Sequence, residues 1–323
     1  MNYKQLTLEK RYQITALIKA GLNQKDIAVE LSVHPSTISR ELRRNNDLVR
    51  GYNAELAQIK STKTEMQKSK RFSLTKSIEK YIRAKLKQDW SPEQISGRMK
   101  LDTGVSVVHE TIYRYIYANK KNGGKLYTYL RHKNKKYHKR SNDYMARGTI
   151  IDRIMIDQRP KIVEKKSRIG DWEIDTVVGK DHKGFLVTVV DRKSKFSIIK
   201  SVPTKHAEVV TAALIDMLTP MQKITHTITS DNGKEFAYHK QISDALDTDF
   251  YFANPYHSWE RGLNEHTNGL IRQYLPKKST FLNVSKDEII MIQDRLNHRP
   301  RKILKYKTPY EVFFSEMSKK LAS

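Results

Sequence analysis

The chain has 323 residues, enough to bury a sizeable core and to form two or three domains. It carries 61 Lys and Arg against 35 Asp and Glu, and this net charge of +26 favours a polyanionic partner, with nucleic acid first. Hydrophobic residues make up 38%, too many for a disordered basic tail, and the lack of cysteine excludes disulfides and thiolate zinc sites. Without a run of roughly 18 apolar residues or a signal-peptide core, we expect a cytoplasmic protein with no membrane partner.

Residues 3–46 have the pattern of three helices, and we predict a helix-turn-helix domain over residues 1–48. The second of these helices starts after Asn23, and a tight connection, Ser32-Val33-His34-Pro35, leads to the third. A plain three-helix bundle with a solvated basic face is the alternative. The residues expected to contact DNA bases or phosphates are Ser36, Thr37, Ser39, Arg40, Arg43 and Arg44.

A second helix-turn-helix domain is predicted over residues 74–118, after a basic linker at residues 49–73. Ser91-Pro92-Glu93-Gln94 has the residues of a capping box that starts a helix. The third helix of this unit carries an aromatic run that suits either a DNA-facing surface or a core. The residues expected to be available to DNA are His109, Thr111 and Arg114.

Residues 119–148 form a second basic linker in the prediction. Such a run is usually a solvated segment, but between a DNA reader and a catalytic domain it is well placed to follow phosphates. The cations expected to do so are Lys135, Lys136, Lys139 and Arg140.

The remaining residues, 149–323, alternate strand and helix patterns and predict an α/β domain with closing helices at its end. Phe185–Val190 is almost continuously apolar, as a central strand covered on both faces would be. The fold class expected is therefore multidomain, with all-α helix-turn-helix domains followed by an α/β domain.

Three acidic residues of this half lie in contexts that suit metal-ion chemistry. Asp175 lies in a predicted strand, Asp231 follows another at the turn Asp-Asn-Gly, and Glu265 lies near the start of a predicted helix. Each alone has an ordinary structural explanation, since Asp is common at strand ends and turns. Alternation also puts Asp171 and Glu173 on the same strand face as Asp175, so spacing does not choose among them.

Long motifs surround these acids: Gly-Asp-Trp-Glu-x-Asp-Thr-Val-Val-Gly from Gly170, Ser-Asp-Asn-Gly-Lys-Glu-Phe from Ser230, and Trp-x-Arg-Gly-x-Asn-Glu-x-x-Asn-Gly-Leu-Ile-Arg-Gln-Tyr from Trp259. With Leu-Asn-His-Arg-Pro-Arg-Lys and Thr-Pro-Tyr-Glu-Val-Phe further on, nearly the whole second half resembles transposases of the insertion sequence 30 family, within the retroviral-integrase superfamily. Ile174, where members often carry Gly, and His266, where they often carry Asn, depart from the family without touching a motif acid.

The resemblance implies a ribonuclease H-like catalytic domain in which Asp175, Asp231 and Glu265 are both the catalytic triad and the ligands of two Mg²⁺ ions, with Mn²⁺ as a substitute. Arg272, two helical turns after Glu265, is expected to neutralise a phosphate oxygen. Weaker phosphate candidates are Lys205, Lys234 and Arg261. The histidines at positions 182, 206, 239, 257 and 266 have no zinc-site spacing and are expected to be structural or exposed.

We therefore expect a transposase that binds the terminal inverted repeats of an insertion sequence, frees a 3′-hydroxyl and joins it to target DNA. Double-stranded DNA is the expected partner, in a synaptic complex of a homodimer or higher oligomer associated with a bacterial nucleoid. The rival functions are a DNA-binding regulator with an inactive nuclease-like domain and a nuclease that cuts without joining strands.

Overall fold

The computed structural model describes residues 5–47, 51–67, 74–131, 150–255, 257, 260 and 262–321. The chain divides into two compact units, Met1–Lys76 and Ser77–Ser323. The sequence-based division into two helix-turn-helix domains, two linkers and a catalytic domain is finer than this and stays a prediction.

The first unit contains the three predicted helices, which are thus confirmed: α1 (Leu8–Lys19), α2 (Gln24–Glu30) and α3 (Pro35–Asn45). The side chains of Thr7 and Asn23 accept hydrogen bonds from main-chain N–H groups of the first turns of α1 and α2. These caps satisfy donors that a helix start would otherwise leave unpaired.

A buried ion pair ties α1 to α3 within the apolar core formed by Ile14, Ile27 and Ile38. Arg11 Nε lies 2.8 Å from Glu41 Oε1, and both side chains are at most 6% exposed. Tyr52 donates its hydroxyl to the same oxygen at 3.2 Å. Because removing one partner would leave a buried charge unpaired, this network holds the two helices in one relative orientation.

The chain then forms two antiparallel strands of two residues each, β1 (Asn46–Asp47) and β2 (Gly51–Tyr52). A further helix, α4 (Ala54–Gln67), follows them. Ala57 of α4 lies in the same core, and the hydroxyl of Tyr12 in α1 donates to Glu55 at 3.0 Å. Much of the segment predicted as a linker is therefore a helix packed on α1, and the first compact unit reaches past residue 48. The alternation of Lys with small residues hid this packing, since α4 buries alanines instead of large apolar side chains.

The second unit opens with α5 (Lys76–Lys87), α6 (Pro92–Thr103) and α7 (His109–Lys121). The predicted capping box at the start of α6 is confirmed, since Gln94 N donates to Ser91 Oγ and Ser91 N donates to Gln94 Oε1. Gly104 ends α6 in the left-handed conformation. The buried residues of the three helices are mainly aliphatic: Ile82, Leu86, Ile95, Met99, Ile112 and Ile116.

The α/β part of this unit is a mixed five-stranded sheet with the strand order β5-β4-β3-β6-β7. Strands β3, β4 and β5 are antiparallel neighbours, whereas β6 and β7 run parallel to β3. The strands are β3 (Asp171–Val178), β4 (Phe185–Asp191), β5 (Ser197–Val202), β6 (Thr227–Ser230) and β7 (Asp249–Phe252). The helices of this part are α8 (Lys161–Lys165), α9 (Ala207–Leu218), α10 (His239–Leu246), α11 (Gly262–Ile271), α12 (Lys286–Asn297) and α13 (Pro309–Leu321).

Helices cover both faces of the sheet. On one face α9, α10 and α13 contribute Leu214, Ile242 and Phe313 to a core around Trp172. On the other face α11 and α12 form a second core with apolar residues of β3, β4 and β5. Every residue of β4 is buried, which confirms the predicted central strand and the α/β class.

Three ion pairs connect the helical segment that runs from α5 through α7 to this α/β part. They are Arg98 with Glu311 at 2.6 Å, Arg295 with Asp89 at 2.5 Å, and Lys302 with Glu93 at 2.7 Å. The second helical segment and the α/β part accordingly belong to one compact unit. Within the described ranges, the structure contains no helix with the length and apolar character needed to cross a membrane.

Candidate active site

Asp175 lies in β3 on the face that α11 covers. Its Oδ1 accepts the N–H of Thr176 at 2.9 Å, and its Oδ2 accepts an amide N–H of Asn268 at 2.8 Å. The odd-numbered residues of β3 share one face, and Val177 on that face belongs to the core built with α11 and α12. The carboxylate of Asp175 is therefore oriented by a side chain of the helix that carries Glu265.

Helix α11 is held on β3 by two asparagines at i, i+4 spacing. Asn264 is fully buried and donates to the carbonyl oxygen of Ile174 at 3.0 Å, one turn before Asn268. Residues four apart lie on one helical face, so both amides point at the same strand. The sequence carried this signal in the pattern Asn-Glu-x-x-Asn, but the two amides were not predicted as site residues.

Asp231 directly follows β6, the parallel neighbour of β3. Glu173 of β3 is opposite Thr229 of β6, so Asp175 and Asp231, each two residues further on, lie at the same level, where β6 has ended and β3 continues paired with β4. The Oδ1 of Asp231 accepts the N–H of Gly233 at 2.8 Å, which fixes the carboxylate in the turn. The register thus places these two predicted acids side by side at the point where β6 ends.

A fourth acid, Glu235, borders the same turn. Its Oε1 accepts the hydroxyl of Thr176 at 2.8 Å, and the residue is 9% exposed. A Cβ atom on Gly233 would lie 2.4 Å from Glu235 Oε2 and 2.9 Å from Asp231 Oδ1. The two carboxylates therefore lie on either side of Gly233, and a residue with a side chain there would collide with both. Glu235 was missed from sequence, although it stands in the motif Asp-Asn-Gly-Lys-Glu.

Glu265 lies in the first turn of α11 and is exposed to solvent. Helix α11 brings it to the region of Asp175, but no three Asp, Glu or His side chains in the described part of the chain are arranged to hold a metal ion. The three predicted acids therefore lie on three adjacent elements, but their carboxylates do not converge on one point.

The neighbouring acids of β3 are engaged in buried ion pairs. Arg192 lies 2.5 Å from Glu173, with both side chains 3% exposed, and Arg168 lies 3.0 Å from Asp171. Asp171 also accepts the hydroxyl of Thr227 in β6 at 2.9 Å. These contacts give Asp171 and Glu173 a structural role that the alternation of the strand did not distinguish from that of Asp175.

Arg272 follows α11 and is anchored to the end of β3. Its Nη2 donates to the carbonyl oxygen of Val178 at 2.6 Å, and its guanidinium lies over the ring of Phe281 at 5.2 Å. Burial lowers the pKa of Arg272. Its Nη1 is buried and has no hydrogen-bond partner among the described residues. Lys205 and Lys234 are exposed, while Arg261 lies outside the described residues.

The residues predicted to read DNA in the first unit lie on α3. Ser39, Arg40, Arg43 and Arg44 are exposed, whereas Ser36 and Thr37 at the start of the helix are half-buried. Ile38 points into the core, so α3 presents its polar face outward. This is the arrangement that a recognition helix requires.

In the second unit, His109 and Arg114 of α7 are exposed and Thr111 is half-buried. The rings of Tyr113 and Tyr117 stack at 6.2 Å, and Tyr117 is 49% exposed, because Ile112 and Ile116 fill the core side of the helix. The aromatic run therefore belongs mainly to the outer face. The predicted phosphate contacts at positions 135, 136, 139 and 140 lie outside the described residues.

Comparisons with known proteins agree with both halves of this architecture. Residues 2–45 match a helix-turn-helix domain family, and residues 165–258 match the integrase core domain family. The chain is 46% identical to the transposase for insertion sequence element IS4351 of Bacteroides fragilis, over 96% of this chain and 95% of that protein.

Two further relatives have similar coverage. Transposase InsI for element IS30A of Escherichia coli (strain K12) is 34% identical over 95% of this chain and 82% of that protein. The transposase for element IS1086 of Cupriavidus metallidurans is 34% identical over 96% of this chain and 94% of that protein. Among solved structures, the catalytic core domain of BIV integrase matches 47% of this chain and 98% of its own with 19% identity and a TM-score of 0.37.

Proposed function

Since the chain belongs to the insertion sequence 30 family of transposases, we propose that it binds the terminal inverted repeats of its element, cuts the DNA to free a 3′-hydroxyl, and joins that hydroxyl to target DNA. The observation that carries this proposal is the attachment of α11 to β3 beside Asp175, at the level where the neighbouring strand β6 ends before Asp231. Acids from a strand, a turn and a helix thereby lie in one region of the surface.

We propose that Asp175, Asp231 and Glu265 hold two Mg²⁺ ions. The donor chemistry fits, because carboxylate oxygens are the ligands that Mg²⁺ prefers. Bound there, the ions would supply activation of a water or 3′-hydroxyl and stabilisation of the leaving oxygen. The proposal requires the exposed Glu265 carboxylate to turn toward the carboxylates of Asp175 and Asp231.

The chain's own residues prepare this site in defined ways. Asn268 holds one oxygen of Asp175, and the N–H of Gly233 holds one oxygen of Asp231. Such hydrogen bonds orient ligating carboxylates before anything binds. Arg272, fixed on Val178, would direct its unpaired Nη1 N–H at a phosphate oxygen.

We further propose that the outward faces of α3 and α7 read the terminal repeats, and that the protein acts as a homodimer or higher oligomer in the bacterial nucleoid. Exposed arginines on α3 are suited to guanine edges and phosphates. Phosphate contacts add affinity for any DNA, whereas base contacts select the element's ends.

The experiment combines purified full-length protein, Mg²⁺ and a labelled duplex that carries the element's terminal repeat, and separates the products on a denaturing gel. We expect 3′-end cleavage and joined strands with the wild type. Asp231→Asn should abolish both while it leaves binding intact, and Asp216→Asn, an exposed aspartate of α9, is the matched control that should retain both.

Each rival predicts a different product. Nicked DNA without joined strands would identify a nuclease. Tight, repeat-specific binding without cleavage in Mg²⁺ or Mn²⁺ would identify a regulator whose acids are inactive, and either result would overturn the transposase proposal.

A further inference from the structure

A cluster of basic side chains lies beside α11, and its members are different from the residues that hydrogen-bond to Asp175 and Asp231. It consists of Arg299 and Arg301, which follow α12, together with His266 of α11 and Arg131, whose Nη2 lies 3.4 Å from the carbonyl oxygen of Gly269. His266 lies three residues before Gly269 in α11 and therefore on the same side of the helix. Four basic side chains from three chain segments thus lie on or beside α11 and the turn that follows it.

Arg299, which is buried, and Arg301, which is half-buried, donate hydrogen bonds only to neutral groups among the described residues. Arg299 is 3% exposed and donates to Gln273 Oε1 at 3.2 Å and to the hydroxyl of Tyr274 at 2.6 Å. Arg301 donates to the carbonyl oxygen of Leu296 at 3.0 Å. The Nε atoms of both arginines are buried, and within the described ranges neither atom has a hydrogen-bond partner.

No carboxylate of the described residues forms an ion pair with this cluster. Asp89 is the acid whose charge raises the pKa of Arg299, but Asp89 is already bound by Arg295 at 2.5 Å and by the Tyr274 hydroxyl at 3.0 Å. Burial and the charges of Arg299 and Arg131 lower the pKa of Arg301 to about 9. Like charges that are buried or half-buried, with no paired carboxylate among the described residues, destabilise a fold, and a bound anion would offset that cost.

We propose that Arg299 and Arg301, with Arg131 and His266 beside them, bind a phosphate of the DNA backbone next to Glu265. The planar guanidinium fork matches two phosphate oxygens, and the unpartnered Nε atoms are donors that such an oxygen would satisfy. Because His266 directly follows Glu265 and Arg131 contacts Gly269 one helical turn later, a DNA strand bound there would be fixed relative to the candidate acids. The identification of DNA as the source of the phosphate rests on the proposed function.

The test measures binding of a fluorescent duplex to the full chain by anisotropy from low to moderate salt, in EDTA. Arg301→Gln should reduce the slope of log K against log [salt] by about 1, the value for one phosphate contact. Lys302→Gln is the matched control, because it removes the same charge from an exposed side chain paired with Glu93 and should leave the slope unchanged. Arg131→Gln, an exposed change that carries no risk to folding, should also reduce the slope.

A second measurement distinguishes binding from a purely structural role. If the cluster is an anion site, thermal unfolding of Arg301→Gln without DNA should occur at or above the wild-type midpoint, because a half-buried charge beside other positive charges has been removed. A lowered midpoint together with an unchanged salt slope for Arg301→Gln and Arg131→Gln would overturn the proposal.

Because binding is measured without divalent ions, this test does not depend on catalysis. A reduced slope in a protein that yields no cut or joined strands would support the phosphate site and refute the transposase chemistry. Normal strand joining with slopes unchanged in both variants would refute the phosphate site alone.

Discussion

Replacing Glu311 with Gln would test how firmly α6 is held to α13. Arg98 forms a fork with this carboxylate, with Nη1 to Oε2 and Nη2 to Oε1 both at 2.6 Å. Glu311 also accepts the N–H of Thr308 at 2.8 Å, and its own N–H donates to the Thr308 hydroxyl at 3.1 Å. Gln can keep this capping pair, so the substitution removes the charge and leaves the start of α13 capped.

The magnitude follows from the pKa of Glu311. Arg98 is the main cause that lowers this pKa from 4.5 to about 2, which corresponds to about 3 kcal/mol at about 1.4 kcal/mol per pH unit. Because the Glu311 side chain is 41% exposed, solvent screening reduces the expected contribution to about 1 to 2 kcal/mol. A lowered carboxyl pKa stabilises the fold above the unfolded value of 4.5, and this contribution is lost as the pH falls toward 2.

The assay is a double-mutant cycle of Arg98→Gln and Glu311→Gln, followed by urea unfolding at several pH values. We expect a coupling energy of about 1 to 2 kcal/mol at pH 7 that shrinks steadily below pH 4.5. The exposed pair Lys302 and Glu93 provides the control cycle, with an expected coupling of about 0 to 0.5 kcal/mol. A coupling no larger than the control, or one independent of pH, would refute the reasoning.

Three further predictions concern single positions. Asn268→Leu should lower strand cleavage about 10- to 100-fold, because Asp175 loses its orienting amide, with only about 1 kcal/mol less unfolding free energy; cleavage within twofold of wild type would contradict this. Gly170→Ala should lower the free energy of unfolding, measured in urea, by more than about 3 kcal/mol, since φ is +92° and a Cβ would lie 1.7 Å from a main-chain oxygen. The control Gly21→Ala, at φ +84° in open space, should lower it by about 1 kcal/mol. Equal losses of unfolding free energy in the two variants would refute the steric explanation. Burial lowers the pKa of Lys195 from 10.5 to about 8, so its charge opposes folding below pH 8 and the penalty disappears as the pH rises to 10.5. The stability advantage of Lys195→Met, measured by urea unfolding at pH 7.5 and 10, should therefore shrink by about 2 kcal/mol, and a constant advantage would count against a buried charge.

Local patterns in the sequence were sufficient to predict most of the helices and strands. The caps at Asn23 and Ser91 placed two helix starts, and the apolar run at Phe185–Val190 identified the central strand. These signals succeed because capping, period and strand burial depend on residues a few positions apart. Helix α4 was not predicted as part of the packed domain, since it contacts the core through Ala57 and α1 through Glu55 and has no large apolar stripe.

The candidate site shows where sequence reasoning stops. The motifs named Asp175, Asp231 and Glu265, but period-two alternation treated Asp171 and Glu173 as their equals. Only the fold supplied the distinction, because the partners of those two acids, Arg168 and Arg192, come together with them through the turns and the packing of the sheet. The orienting amide of Asn268 likewise lies 93 residues from the Asp175 carboxylate it holds.

The sequence by itself determined the helix-turn-helix pattern, the strand order along the chain, the excess positive charge and the acids in their motifs. Tertiary structure decided which acids are neutralised by arginines and that Glu235 borders the turn of Asp231. It also decided that Arg299 is buried and Arg301 half-buried, with no carboxylate paired to either in the part of the chain that the structure describes. The physical reason is that a side chain's charge is written in the sequence, whereas its neighbours, and hence the energy of that charge, are set by contacts between residues far apart in the chain.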